Sequence, residues 1–206
     1  TGGSHGIGLE TSIALAKEGV NIAVFSRSEK NLNNTQKILS SYKIDVITIK
    51  ADILEKNAVS YVMDEIKKKW NRIDILINNI GGGGRWGKEI IEDTDDNVWL
   101  EVFQKNALAA ALFSKNVIPW MKKNKWGRII TISSRYGKEG GGRPWFNMAK
   151  AAEVGLMKTL SLTRYLIRSG ITFNTVAPGG IYIPGTGFET EKNENPEVFK
   201  NMVDND

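Results

Sequence analysis

Five short apolar, β-branched runs recur along the chain with helical stretches between them, and this alternation limits the possible folds more than any other feature. The runs are Asn21–Phe25, Asp45–Lys50, Ile73–Ile77, Arg128–Ile132 and Ile171–Val176. Several are nearly continuous in hydrophobic residues, as expected of parallel strands covered on both faces. Helical patterns fill the intervals: Ile7–Glu18, Glu29–Ser41, Lys56–Trp70, Asp96–Lys123 and Trp145–Ser169. Gly19, Gly127 and Gly170 stand just before strands, where a chain leaving a helix needs a left-handed residue. Strand and helix in strict alternation predict an α/β domain: a doubly wound, mostly parallel sheet with right-handed crossovers and helices on both faces.

Composition narrows the function classes. At 206 residues, 41% hydrophobic, the chain can bury one sizeable core, so one domain over 1–206 is expected. No run of about 18 apolar residues exists, so no membrane partner is expected. Without Cys there are no disulfides, no thiolate nucleophile and no sulfur-ligated zinc. The single His5 argues against a histidine metal site or a Ser-His-Asp triad, and no metal is expected. The net charge of +5 is scattered, with small groups only at Lys67–Lys69 and Lys122–Lys125. Nucleic acid would need that charge on one face, so no nucleic-acid partner is expected. A modest positive field suits an anionic substrate or cofactor.

The segment Thr1-Gly2-Gly3-Ser4-His5-Gly6-Ile7-Gly8 opens the first helix. Glycines at 2, 6 and 8 let the backbone turn tightly, approach a pyrophosphate and pack the helix on the sheet. The helix N-terminus then offers free N–H groups to phosphates. The spacing differs from G-x-G-x-x-G, so the loop alone is a weak signal. The end of the second strand adds to it. An NAD-binding sheet places an acidic residue there, about 20 residues on, to accept from a ribose hydroxyl. This chain has Ser26-Arg27. Arg cannot accept that bond but grips a 2′-phosphate, with Ser4 and His5 near enough to help, so NADP(H) is preferred over NAD(H).

With several motifs in order, the chain resembles the short-chain dehydrogenase/reductases over its whole length, near their 3-oxoacyl-carrier-protein-reductase-like branch. The loop Thr1–Gly8 is similar to that family's T-G-x-x-x-G-x-G. Asp52-Ile53 resembles its adenine-contacting pair, and Asn78-Asn79-Ile80-Gly81 its N-N-A-G motif with Ile for Ala. The resemblance implies a Rossmann-like fold and a catalytic Asn at Asn106. It places a catalytic Ser at Ser134, with Ser133 as the alternative, and a catalytic Lys at Lys150. Pro178, Gly179 and Ile181 match the loop that touches the nicotinamide. It further implies a homo-oligomer, tetramer or dimer, joined through apolar stretches such as Ala107–Phe113 and Val154–Leu162, and a cytoplasmic enzyme.

The departures matter more than the matches. The Tyr of Tyr-x-x-x-Lys is Phe146, 183 is Ile where the family often has Thr, and Ser134 to Phe146 is one residue short of the usual spacing. In the family's mechanism a hydride passes between the nicotinamide and a carbonyl carbon while the Tyr hydroxyl protonates the oxygen. A free Tyr titrates near 10 and needs positive charge, supplied by Lys, to act near neutrality. Phe146 keeps the ring and loses the acid, which costs about 10²–10⁴-fold. Three explanations stand open: an engineered residue, a natural loss of turnover, or a replacement hydroxyl from Tyr136, which an extended chain would place on the same face as Ser134.

Arg135, Lys138 and Arg143, a mobile Gly81–Trp86 rim and a lid over Tyr182–Glu191 suggest a polar or anionic small-molecule substrate, and Trp145 is the one tryptophan placed at the site. The expected activity is NADP(H)-dependent oxidoreduction of a carbonyl or hydroxyl group, 3-oxoacyl or sugar-type. The alternative is a catalytically silent cofactor-binding or scaffold module. A glycine loop follows a strand, so the domain is expected to lack its first strand here, and its last strand after Asp206.

Overall fold

The computed structural model describes residues 1–88 and 90–205. The element order is α1 (Gly6–Lys17), β1 (Ile22–Ser26), α2 (Glu29–Leu39), β2 (Val46–Lys50), α3 (Ala58–Lys69) and β3 (Ile75–Asn78). There follow α4 (Asp96–Phe103), α5 (Ala109–Asn124), β4 (Gly127–Ile132), α6 (Pro144–Leu162), α7 (Arg164–Ile167), β5 (Ile171–Val176), α8 (Gly187–Glu194) and α9 (Pro196–Asn205). All five expected strands form, and every pairing is parallel. β1 pairs with β2 with Ile22 opposite Val46. β4 lies between β3 and β5, with Arg128 opposite Ile75 and Gly127 opposite Ile171. The fold is Rossmann-like, with helices flanking parallel sheet.

The expected single sheet is present as two, β2-β1 and β3-β4-β5. Between the facing edges of β1 and β3 lies a cleft of about 710 Å³, lined by apolar side chains including Val24, Phe25, Leu76 and Phe113. The main core nevertheless joins the two sheets: Phe25 and Ile49 of one and Ile129 and Phe173 of the other share a cluster with Val62 and Met121. Phe25 stacks on Phe113 of α5 at 5.1 Å between centroids.

Two expected helices are interrupted. The stretch read as one helix from Asp96 to Lys123 contains a π-helical turn, Gln104–Leu108, between α4 and α5. The stretch Trp145–Ser169 breaks at Thr163, whose backbone is extended. The lid segment is helical in its second half, as α8, and α9 follows it.

Candidate active site

The carboxyl ends of the parallel strands and the glycine loop meet at one edge, which is where open α/β sheets bind ligands. The loop is shaped by its glycines. Gly2 and Gly6 have φ of 61° and 53°, a region L side chains rarely enter. A Cβ at Gly8 would collide with the Gly2 carbonyl oxygen, so α1 begins directly against the loop. Asn79 holds this arrangement: its Nδ2 donates to the carbonyls of Thr1 and Gly2 at 3.2 and 3.1 Å, and its N–H donates to the Thr1 hydroxyl. Ser4 is buried, and His5 is the exposed N-cap of α1.

Arg27, just past β1, forms an ion pair with Asp52, just past β2, at 3.5 Å. Asp52 also accepts from the Leu54 N–H, while Ile53 is buried in the main core. Ser26 accepts from the Ser28 N–H. Lys105, which does not stand out in the sequence, joins this end of the site. Burial pulls its ammonium below the usual lysine range, and the nearby Arg27 charge lowers it further. Its Nζ lies 4.5 Å from the centroid of the Trp86 ring. The signal available in the sequence was only its place beside Asn106.

Asn78 is turned into the core, where Nδ2 donates to Ser114 and Thr131, both at 3.2 Å. It ties β3 to α5 and β4. The π turn brings Asn106 to full burial below the glycine rim. Asn106 Nδ2 donates to the carbonyls of Val102 and Gly82 at 2.7 and 2.9 Å, and its Oδ1 accepts from the Gly82 N–H. A Cβ at Gly81 would come 2.5 Å from Asn106 Oδ1 and 3.2 Å from Lys150 Nζ, so only glycine fits between them.

Lys150, on α6, is buried and donates to the Ile132 carbonyl at 3.0 Å and to both carboxylate oxygens of Glu153 at 3.2 and 3.1 Å. Burial lowers its ammonium from the ordinary lysine value, and Glu153 opposes that. Burial likewise raises the Glu153 carboxyl, opposed by Lys150. Glu153 was missed in the sequence; the signal was an acid one turn from Lys150 on a helical face otherwise given to Ala149, Val154 and Met157. The Phe146 ring centroid lies 5.7 Å from Lys150 Nζ.

The two serines divide. Ser133 is buried and donates to the Lys150 carbonyl at 3.0 Å, whereas Ser134 is half-buried and its hydroxyl accepts from the Tyr136 N–H. The extended path expected beyond Ser134 does not occur. Residues Arg135–Gly137 form a 3₁₀ turn, and the Tyr136 hydroxyl accepts from Arg135 at 3.1 Å. Trp145 is fully buried; its Nε1 donates to the Gly83 carbonyl and its ring meets Trp99 edge-on at 5.4 Å. It anchors the glycine rim instead of facing the site. Pro178, Gly179 and Ile181 lie in the loop after β5, where the Pro178 carbonyl accepts from the Arg135 N–H. The lid meets the site where Ile183 lies against Gly6 and where Arg85 stacks on Phe188 at 5.1 Å.

A family model described as short chain dehydrogenase matches residues 1–196. The chain belongs to the short chain dehydrogenase family. Within the family it is 32% identical to the 3-oxoacyl-[acyl-carrier-protein] reductase FabG of Escherichia coli, over 88% of this chain and 71% of that protein. It is also 32% identical to the (2S)-[(R)-hydroxy(phenyl)methyl]succinyl-CoA dehydrogenase subunit BbsD of Thauera aromatica, over 89% and 72%. Among solved structures, acetoin dehydrogenase YohF of Salmonella typhimurium superposes with a TM-score of 0.79 at 27% identity, covering 90% of this chain and 73% of that one. Xylitol dehydrogenase bound to NAD⁺ does so with a TM-score of 0.81 at 26%, covering 93% and 72%. As a short chain dehydrogenase the chain is an oxidoreductase by family. No helix among its described residues is long and apolar enough to cross a membrane.

Proposed function

We propose that this short chain dehydrogenase binds NADP(H) across the carboxyl ends of its strands and holds the hydride-transfer site of a reductase for small polar or anionic carbonyl compounds. The observation that carries this reading is the cluster Gly81, Asn106 and Lys150 with the Phe146 ring beside it. The residues fit a dinucleotide: the glycine loop leaves no room for a Cβ at Gly8, and the N-terminus of α1 supplies unpaired N–H groups. Gly2, Gly3, Gly6, Ile7 and Gly8 would line the pyrophosphate, and Ser4, His5, Ser26 and Arg27 the adenosine ribose. Asp52 and Ile53 would meet the adenine side, and Asn79 and Gly81 would line the cofactor toward the reacting end, with Asn78 supporting the strand end. Pro178, Gly179 and Ile181 would meet the nicotinamide. That the basic groups Arg27 and Lys105 lie close enough to act on each other, with Asp52 paired to Arg27, favours a 2′-phosphate. The bound cofactor supplies or accepts the hydride.

Among the protein's own groups, Lys150 holds positive charge at the reacting end and Ser134 offers a hydroxyl to the substrate oxygen. Asn106 fixes the glycine rim. Position 146 is where the general acid is absent. Calorimetry should give tighter binding of NADPH than of NADH; the reverse order overturns the cofactor assignment. Phe146→Tyr should raise NADPH oxidation with a carbonyl panel by about 10²-fold or more. No gain with any substrate counts against a reductase.

Phe146 also favours a second reading, a silent cofactor-binding module; turnover by the unmodified chain that Lys150→Ala abolishes would exclude it. Exposed Leu100, Phe103, Leu108 and Leu112 on the α4–α5 path support a homo-oligomer, whereas Ala107, Ala109, Ala110 and Phe113 of the same stretch are buried within the chain.

A further inference from the structure

We infer that Glu153 is a positioning residue: it holds the Lys150 ammonium charged and fixed beneath Gly81, and nucleotide affinity depends on it through Lys150. This rests on the cofactor reading above. Three observations carry it. Lys150 and Glu153 stand one turn apart on α6, and Nζ reaches both carboxylate oxygens at 3.2 and 3.1 Å. Their side chains are 5% and 2% exposed, so water solvates and screens neither charge effectively. The ammonium is held from a second side by the Ile132 carbonyl at 3.0 Å and abuts the space a Gly81 Cβ would fill.

A buried ion pair is a poor way to build a core, because desolvating two charges costs as much as their attraction returns. Apolar residues at 150 and 153 would pack α6 against β4 at least as well. A pair kept there is best explained by a need for the charge itself. Lys150 places that charge beside the Phe146 ring and the Asn106–Gly81 rim. The groups facing the pair are the Ile132 carbonyl and Ser133 hydroxyl from the end of β4 and Asn106 from the π turn. None of these carries charge, and for each member of the pair the charged group acting on it is the other. Without the carboxylate, burial alone would act on the amine and drive it neutral. Glu153 does not reach the cofactor groove, so its influence passes through Lys150.

NADP⁺ binding by the full chain, followed by calorimetry from pH 6 to 8, tests this. The unmodified chain should vary less than about threefold, and Glu153→Gln should lose up to about tenfold per pH unit as Lys150 deprotonates. Glu153→Asp, which keeps the charge, should restore most of the affinity. An unchanged profile in Glu153→Gln overturns the inference. Competitive acetylation of Lys150 read by mass spectrometry needs no cofactor. An amine midpoint lower in Glu153→Gln than in the unmodified chain supports the inference and an equal or higher one overturns it. Failure to bind NADP⁺ with a Lys150 midpoint lowered in Glu153→Gln would reject the cofactor reading while leaving the Glu153–Lys150 coupling intact.

Discussion

Two glycines show how differently one residue type can act. A methyl group at Gly8 runs into the Gly2 carbonyl oxygen and the Asn79 amide, both part of the loop that α1 abuts. Gly8→Ala is therefore expected to destabilise by about 1–3 kcal/mol and to weaken nucleotide binding at least tenfold, measured by thermal denaturation and calorimetry. Gly155 sits inside α6, and a methyl group added to it would have nothing within 4 Å. Gly155→Ala should raise stability by about 0.5–1 kcal/mol, because alanine loses less backbone entropy in a helix. The glycine loop could be read from the sequence because turn chemistry is local. Residues whose role depends on what packs against them could not. Trp145 sits next to Phe146 in sequence yet is fully buried and holds the rim, and Tyr136 lies in a 3₁₀ turn after Ser134 with its hydroxyl accepting from Arg135.

At the scale of elements, the parallel strands were legible because burial on both faces leaves runs of Ile and Val that nothing else in the chain imitates. The break between α4 and α5 was not, since one π turn leaves the apolar periodicity on either side nearly intact. Helix α6 shows the same limit: a period of 3.6 predicts which face is buried, not that the face contains an ion pair. That pair makes a stability prediction separate from nucleotide binding. Glu153→Leu alone leaves Lys150 buried without its carboxylate and should cost about 3–5 kcal/mol in denaturant unfolding at pH 7. Lys150→Met with Glu153→Leu should be neutral or stabilising by about 1–4 kcal/mol. The sign with pH follows from the two shifts. A lysine lowered in the fold costs stability that is recovered as pH rises past its unfolded value, and a glutamate raised in the fold costs stability recovered as pH falls. The advantage of the double variant should therefore be greatest near neutrality and shrink toward both extremes.

At the scale of the whole molecule, the cleft between β1 and β3 reaches the glycine loop at Gly3, Gly8 and Asn79 and is otherwise walled mainly by apolar side chains. Both of its walls are strands paired on one side only, each with a backbone edge turned to the other. A strand edge facing an apolar cleft lacks ladder partners for its N–H and C=O groups, and leaving such groups unpaired away from water is costly. Thr1 sits at one end, its amine donating to the Ile77 carbonyl at 2.7 Å, while Gly3 lies against Val24 of β1. The loop thus already bridges the two edges at their carboxyl ends. An extended segment running into Thr1, parallel to both strands, would satisfy both ladders and cover the apolar walls. Two or three buried Val or Ile side chains contribute about 1.5–3 kcal/mol each. At roughly 2–4 °C per kcal/mol for a domain of this size, a chain carrying six β-branched residues ahead of Thr1 should melt on the order of 10 °C higher than the present one. Proline in the middle of that segment removes a donor from the ladder and should cancel much of the gain. An equal Tm with and without the segment would mean that the cleft does not accept a strand, and the glycine loop would then owe its shape to Asn79 and the packing of Gly8.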